Sequence, residues 1–484
     1  MCALLTVLSL IWEQFVAQYI VINLYNPLYP IELVPFPSIS ICSNNRISYQ
    51  AAMAHAKELS AKDPSQRSVD YFLERLKFFI NLYQKNDQEV YGEVYSNFQA
   101  FLDVFDTYDN ETFYNTRRVA EMLSPPCENL IRTCKLAGIE IDCFGEKAFQ
   151  KRSTSYGFCC TFNTGNFYQE RHFRDRFVSA DLGLTVVLNT SHQDDFMPIL
   201  PIDGYLVIIH DSNIFPDTTS GESHELFLTY GEESFIALRA LLVFTDPNLR
   251  SISAQTRKCY FDEDTSDTAV PITNYSFSNC ITRCRTFNTM ALCGCVPFYV
   301  EADLWPQSDG VIYCTLQHVS CLLSYKFKMD NIMTQRESIA GLERDYAEAL
   351  YCPHCLPACN DIQYEMSLMA LPIDRFIASS TEDELKEIAL DSEDMSVLRV
   401  HFDEPYAKYY RRVVGNTWYE ALCTIGNVTS IFLGFSILAV FELGFFFVKY
   451  IALAIQSAIR QDKRKNINDK KEGNKEEMEL YICP

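Results

Sequence analysis

The residues best suited to chemistry sit in one short run, YCPHCLPACNDIQYEM, from Tyr351 to Met366. Cys352 and Cys355 bracket Pro353 and His354 in a Cys-x-x-Cys tetrad, and Cys359 follows. Three chemistries suit that pattern. Paired thiols exchange with disulfides when a helix N-terminus lowers one thiol pKa. Close thiolate pairs ligate zinc. In an oxidising compartment the same cysteines form structural disulfides. The redox arrangement has a strand before the tetrad and a helix after it. Here the helix-like segment precedes Cys352, while Pro357 and a strand follow. More cysteines lie upstream, in CITRC at 280–284, CGC at 293–295, Cys314 and Cys321. That neighbourhood puts structural disulfides first, a metal site second and a redox catalyst third.

Other catalytic signals are weak. The histidines never form a His-Glu-x-x-His helix. GESHE, Gly221 to Glu225, lacks the second glycine of a nucleophile elbow. No glycine loop is present to cradle phosphate. The acidic run STEDELKEIALDSED, 380–394, reads as a solvated helix face before it reads as a cation site. The chain is therefore read as no enzyme, with no cofactor and no metal.

The elements that hold these cysteines lie between two apolar ends. The 484 residues carry a net charge of -22, which excludes nucleic acid as a partner and gathers cations around the surface. Of 19 cysteines, the sixteen from Cys42 to Cys359 form an even set, as a paired framework requires. Cys2 and Cys423 fall in apolar segments and Cys483 in the tail. Glycosylation sequons stand at Asn110, Asn189 and Asn274. The middle is thus expected outside the cell.

Near the C-terminus, IFLGFSILAVFELGFFFV, Ile431 to Val448, has Glu442 as its one charge. With its start near Gly426 it is long enough to span a hydrocarbon core of about 30 Å. Lys449, Arg460, Lys463, Arg464, Lys465, Lys470 and Lys471 follow, placing the C-terminus inside. The charged tail is expected to be disordered. Gly434 and Ser436 within the span permit close helix packing or a pore lined by backbone carbonyls and hydroxyls; the pore is preferred. Glu442 should face a watery path or a partner helix. At the other end, CALLTVLSLIW is interrupted by Glu13, Gln14 and Gln18 before YIVINL. A signal peptide would have a basic n-region and a small-residue cleavage site. Neither is present, so a transmembrane helix shortened at its cytoplasmic end is preferred.

Between the spans, residues 50–120 read mostly as helix, as in VDYFLERLKFFINLYQ. LGLTVVLN, DGYLVIIHD, ELFLTYG and SFIALRALLVF read as strands, Asp330 to Tyr351 as helix, and IQYEMSLM and SVLRVHF as strands again.

From Pro35 to Val448 the ordered motifs resemble the degenerin/epithelial sodium channel family, and within it the insect pickpocket subunits. FPSISIC at 36–42 is similar to the segment after the family's first span, and YGFCCTFN at 156–163 to its Gly-x-Cys-x-x-Phe-Asn signature. DGYLVIIHDSNIFP resembles a palm strand. RKC at 257–259, NCITRCRTFNTMALCGCVPFY and CPHCLPAC resemble the cysteine ladder of the thumb, about 259–359. YRRVVGNTWYEALCTIGNVTSIFLGFSILAVFE resembles the wrist and second span.

The resemblance implies a trimeric plasma-membrane protein: two transmembrane helices flanking a large disulfide-rich α+β extracellular domain. Its expected segments are a first span at 1–24, an extracellular domain at 25–425, a pore-lining span at 426–448 and a cytoplasmic tail at 449–484, with both termini inside. It further implies an amiloride-sensitive sodium pore, alone or with related subunits, in membrane lipid, under a gating ligand that the sequence does not identify. Gly434, Phe435 and Ser436 match the Gly-x-Ser filter, Glu442 the acidic residue below it, and Cys423 the degenerin position at the gate. The implied disulfides are Cys259–Cys359, Cys280–Cys355, Cys284–Cys352, Cys293–Cys321, Cys295–Cys314, Cys42–Cys159 and Cys134–Cys143, which leaves Cys127 and Cys160 to pair. Two departures stand out. No His-Gly gating motif precedes the first span, so a shortened N-terminus is expected. Asn427 and Ser430 stand where glycine is usual. The competing reading is a single-pass cysteine-rich receptor or adhesion protein with a cleaved signal peptide, its mature chain starting near Tyr19.

Overall fold

The computed structural model describes residues 2–17, 20–83, 92–107, 113–145, 148–164, 178–189, 194–265, 275–301, 312–334, 343–373, 395–415, 418–434 and 436–479. It divides into one compact unit at 22–412 and a second made of 1–21 and 413–484.

The larger unit is built on two sheets. The eight-stranded sheet runs Ile20–Pro30, Tyr406–Val414, Glu232–Thr245, Met395–Phe402, Leu184–Asn189, Ile131–Leu136 and Ile139–Ile141, and Asp361–Pro372 also pairs with Glu232–Thr245. The five-stranded sheet runs His224–Thr229, Gly204–His210, Ser38–Ser43, Gly157–Phe162 and Phe149–Thr154. In Glu232–Thr245 the alternate residues Ser234, Ile236, Leu238, Ala240 and Leu242 are buried, the two-residue period of a strand with one covered face. Gly204–His210 is buried at every position, because its two faces feed different cores. Tyr205, Val207 and Ile209 join the core shared with the large sheet. Leu206 and Ile208 join a second core with helices Tyr49–Lys62, Val69–Leu76, Gly92–Phe105 and Thr116–Leu123. The five-stranded sheet is thus the middle of three layers. The helices start on side-chain caps: Ser48 Oγ accepts from Ala51 N, and Ser68 Oγ from Tyr71 N.

Four elements differ from expectation. The first helix ends at Ala17, and Ile20–Pro30 is a strand rather than the end of a span reaching residue 24. β-branched and aromatic residues favour extended backbone there, and Pro27 and Pro30 cannot donate inside a helix. The expected helix over 330–351 is interrupted, since Ile332–Met333 pairs in parallel with Leu350–Tyr351. The second apolar segment is two helices, Trp418–Leu433 and Ile437–Glu479, instead of one over 426–448. The tail expected to be disordered continues that last helix to Glu479.

Candidate functional site

In the smaller unit the helix Cys2–Ala17 lies against Trp418–Leu433. The less exposed residues of the first, Leu4, Val7, Leu8 and Ile11, recur at helical spacing. On the second helix the partly covered residues are Ala421, Ile425, Val428 and Thr429. Cys423, Asn427, Ser430 and Gly434 are exposed, and at 3.6 residues per turn they form a stripe about 180° from the covered face. This stripe of small and polar side chains lies within a wider exposed surface that also includes Tyr419, Leu422 and Ile431.

At its end the helix breaks. Gly434 adopts φ +61°, a left-handed conformation that glycine takes without penalty. Its N–H donates to Ser430 O at 2.8 Å, closing the first helix. Ser436 opens the next one: its Oγ accepts from Ala439 N at 3.4 Å. The break leaves the last carbonyls of Trp418–Leu433 without the N–H groups a continuing helix would supply. Those carbonyls carry the partial negative charge of the helix end, which suits a partly dehydrated cation. Glu442 follows six residues after Ser436, about 9 Å along the axis, and is exposed. By length and composition, Leu438–Gln461 is the helix among the described residues that could cross a membrane; Leu4–Glu13 is a shorter apolar helix.

The cysteines of the larger unit form eight disulfides. Helix Phe277–Cys293 places Cys280 and Cys284 one turn apart on one face, opposite Cys355 and Cys352. The tetrad is therefore split between two bonds. Gly294, at φ +72°, ends the helix between Cys293 and Cys295 and sends them to different partners, Cys321 and Cys314. Cys259–Cys359 closes the root of this region, where Cys359 N also donates to Tyr260 O at 2.8 Å. Cys42–Cys159 and Cys127–Cys160 arise from neighbours on one strand whose side chains point to opposite faces. Cys134–Cys143 closes a short loop.

A feature the sequence reading passed over lies at the same root. Asp211, Glu222, Asp262 and Asp361 line a cavity of about 250 Å³ with Phe244 and Tyr275. Glu222 accepts from Phe277 N at 3.2 Å and Ser278 N at 2.9 Å, holding the start of the cysteine helix. Burial, then the nearby Asp361 charge, pushes the Glu222 carboxyl up to about 7. Burial also raises Asp211 and Asp361. In the sequence the motif containing Glu222 reads only as an incomplete nucleophile elbow, and a lone glutamate gives no sign of what folds against it.

Phe244 of this cavity packs on Tyr409, with ring centroids 5.5 Å apart. Tyr409 in turn meets Tyr25 and Tyr29 at 5.4 Å each. Arg411 lies 5.2 Å from the Tyr25 ring centroid and bonds Asp246 at 2.7 Å. An aromatic chain therefore runs from the cavity to the first strand of the large sheet.

The sixteen cysteines of the middle are brought together in pairs, and Cys423 is a free, exposed thiol. Asn189 ends a strand, its amide donating to Asn129 O at 3.4 Å. Asn110, Asn274, Phe435, Cys483 and the run at 380–394 lie outside the described residues. No cluster of three His, Cys, Asp or Glu that could hold a metal ion occurs among the described residues.

Comparison with known proteins adds the following. A family model described as amiloride-sensitive sodium channel matches residues 1–446. The sodium channel protein Nach of Drosophila ananassae is 24% identical over 430 residues, covering 86% of this chain and 73% of that protein. Pickpocket protein 11 of Drosophila melanogaster is 25% identical over 293 residues, 60% of this chain and 48% of that one. The epithelial sodium channel subunit beta of Canis lupus familiaris is 22% identical over 354 residues, 70% and 50% respectively.

Proposed function

Because the chain belongs to the amiloride-sensitive sodium channel family, a family of ion channels and not of enzymes, we propose that it is one subunit of a trimeric, ectodomain-gated sodium channel of the plasma membrane. Two spans per subunit, the first from the N-terminal apolar helix, hold the disulfide-rich domain outside and both termini inside. The observation that supports this reading most is the broken helix at Gly434–Ser436 beneath an open small-residue stripe. Three such stripes facing one axis enclose a path for ions. Sodium reaches it through an acidic exterior and exchanges part of its hydration at the carbonyl and hydroxyl groups of Gly434, Phe435 and Ser436. It then leaves past Glu442. Cys423 stands at the outer end of the stripe as the gate position, small enough to allow closure. Asn110, Asn189 and Asn274 carry glycans on the outer surface. The stiff cysteine region acts as a lever, since each crosslink contributes roughly 2–4 kcal/mol by restricting the unfolded chain.

The test is electrical. Expressed in voltage-clamped cells, alone and with related subunits, the chain should carry an amiloride-blocked current that prefers sodium to potassium. Ser436→Ala should weaken that preference. Surface-expressed chain that passes no current in any combination would overturn the reading. A mature N-terminus near Tyr19 would favour the receptor instead.

A further inference from the structure

Helix Trp418–Leu433 holds its polar side chains in two different states. Thr424 Oγ1 donates to Glu420 O at 2.9 Å, and Thr429 Oγ1 to Ile425 O at 2.9 Å and Gly426 O at 3.0 Å. Both hydroxyls are therefore satisfied by carbonyls one turn back in the same helix. Asn427 is different. Its carboxamide is exposed and makes no hydrogen bond with any described residue. An amide has an acceptor oxygen and two donor hydrogens to satisfy. Leaving such a group in hydrocarbon costs roughly 4–8 kcal/mol. Asn427 must meet water, an ion or another polar group.

Its direction narrows the choice. At 3.6 residues per turn, Cys423, Asn427, Ser430 and Gly434 occupy about 60° of the helix circumference. The partly covered residues Ala421, Ile425, Val428 and Thr429 occupy about 100° on the far side. Exposed Ile431 flanks the polar arc on one side, and Tyr419 and Leu422 flank it on the other. Apolar flanks suit contact with neighbouring helices or lipid, whereas the polar centre suits a watery path. Gly434, where the helix breaks, lies in the same arc. That alignment puts Asn427 on the route to the break and not between helices.

We propose that Asn427 supplies a second coordinating ring for the permeating monovalent cation, each copy contributing one amide oxygen. The inference rests on the trimeric pore reading above. The ring takes over part of the ion's hydration before it reaches Gly434, about 10.5 Å further along the helix. Two ions at that spacing repel, which helps the inner one to leave. Amide oxygens are hard donors that can replace water on sodium, and without formal charge they release it readily. Carboxylates at the same height would hold divalent cations instead. That contrast gives the test.

The experiment compares Asn427→Asp, Asn427→Leu and Asn427→Gly with wild type, using the full chain in voltage-clamped cells with the related subunits. Surface biotinylation and single-molecule photobleaching report amount and stoichiometry. External calcium should half-block Asn427→Asp at an about tenfold lower concentration than wild type. Asn427→Leu should lower single-channel sodium conductance about twofold or more. Asn427→Gly, which leaves the ring to water, should conduct with a smaller preference for sodium over potassium. It decides the matter if the other two fail to reach the surface. Permeation and calcium block unchanged at wild-type stoichiometry overturn the proposal and leave the channel reading standing. Altered stoichiometry with unchanged permeation assigns Asn427 to helix pairing and overturns the proposal as well. A glycan on Asn427, which heads an Asn-Val-Thr sequon, would take the amide out of the path and do the same. No current from the wild-type chain in any combination overturns both.

Discussion

The ring of Tyr409 stands edge-on to that of Tyr25, at 88° and 5.4 Å between centroids, joining two neighbouring strands of the large sheet. Tyr29 and Phe244 approach the same ring, so one side chain ties three strands together. Each such pair contributes about 0.5–1.5 kcal/mol beyond the area it buries. Tyr409→Ala should lower the stability of the solubilised protein by a total of about 1.5–4.5 kcal/mol. It should also reduce open probability at unchanged surface expression, with Tyr409→Phe close to wild type. Equal losses of current and surface protein would mean that Tyr409 serves folding alone.

Glu222 makes stability depend on pH with a defined sign. Its carboxyl holds a proton up to about 7 in the folded protein, against an ordinary 4.5. Between those values the folded state binds more protons than the unfolded state, so stability falls as pH rises through that window. Asp211 and Asp361, raised by burial as well, act in the same direction. Glu222→Gln should flatten the profile and melt at a higher temperature than wild type above pH 7. Thermal melts from pH 5 to 8 measure this; parallel profiles would show that the carboxyl titrates normally.

The split tetrad gives a chemical prediction. Maleimide labelling without reductant should leave Cys352 and Cys355 unmodified while labelling the exposed Cys423. Replacing Cys284 and Cys352 together by Ser should cost roughly 2–4 kcal/mol of stability. Labelling of either tetrad cysteine in the native protein would restore the redox reading.

Gly434 tests the helix break. An L-residue in its left-handed conformation costs roughly 1–2 kcal/mol, so Gly434→Ala should join the two helices or distort their junction. Reversal potentials under paired sodium and potassium solutions should then show weaker discrimination. Gly434→Asn, better tolerated at positive φ, should retain more of it. Unchanged selectivity in the alanine variant would place the filter elsewhere.

Much of the larger unit was legible because strand patterns and cysteine order are local signals. SFIALRALLVF alternates as a strand with one buried face, and the structure has it as Glu232–Thr245. DGYLVIIHD could be read as a strand, but its unbroken apolar run reveals a middle layer only once both cores are known. The break at Gly434 was hidden because hydropathy averages over a window and a single positive φ does not change it. The limit of the first helix was missed because YIVINL is as apolar as a span, while the prolines after it set the backbone. The Glu222 cluster joins residues far apart in the chain, and nothing in the sequence near any of them announces the others.

Cys159 and Cys160 touch in sequence yet are bound to opposite sides of their strand, one to Cys42 and one to Cys127. Nothing but the pleat tells the two thiols apart. Until that strand is settled between its neighbours, the wrong sulfur is as near as the right one. The backbone acts here as the sorting device, and the covalent bonds record its decision.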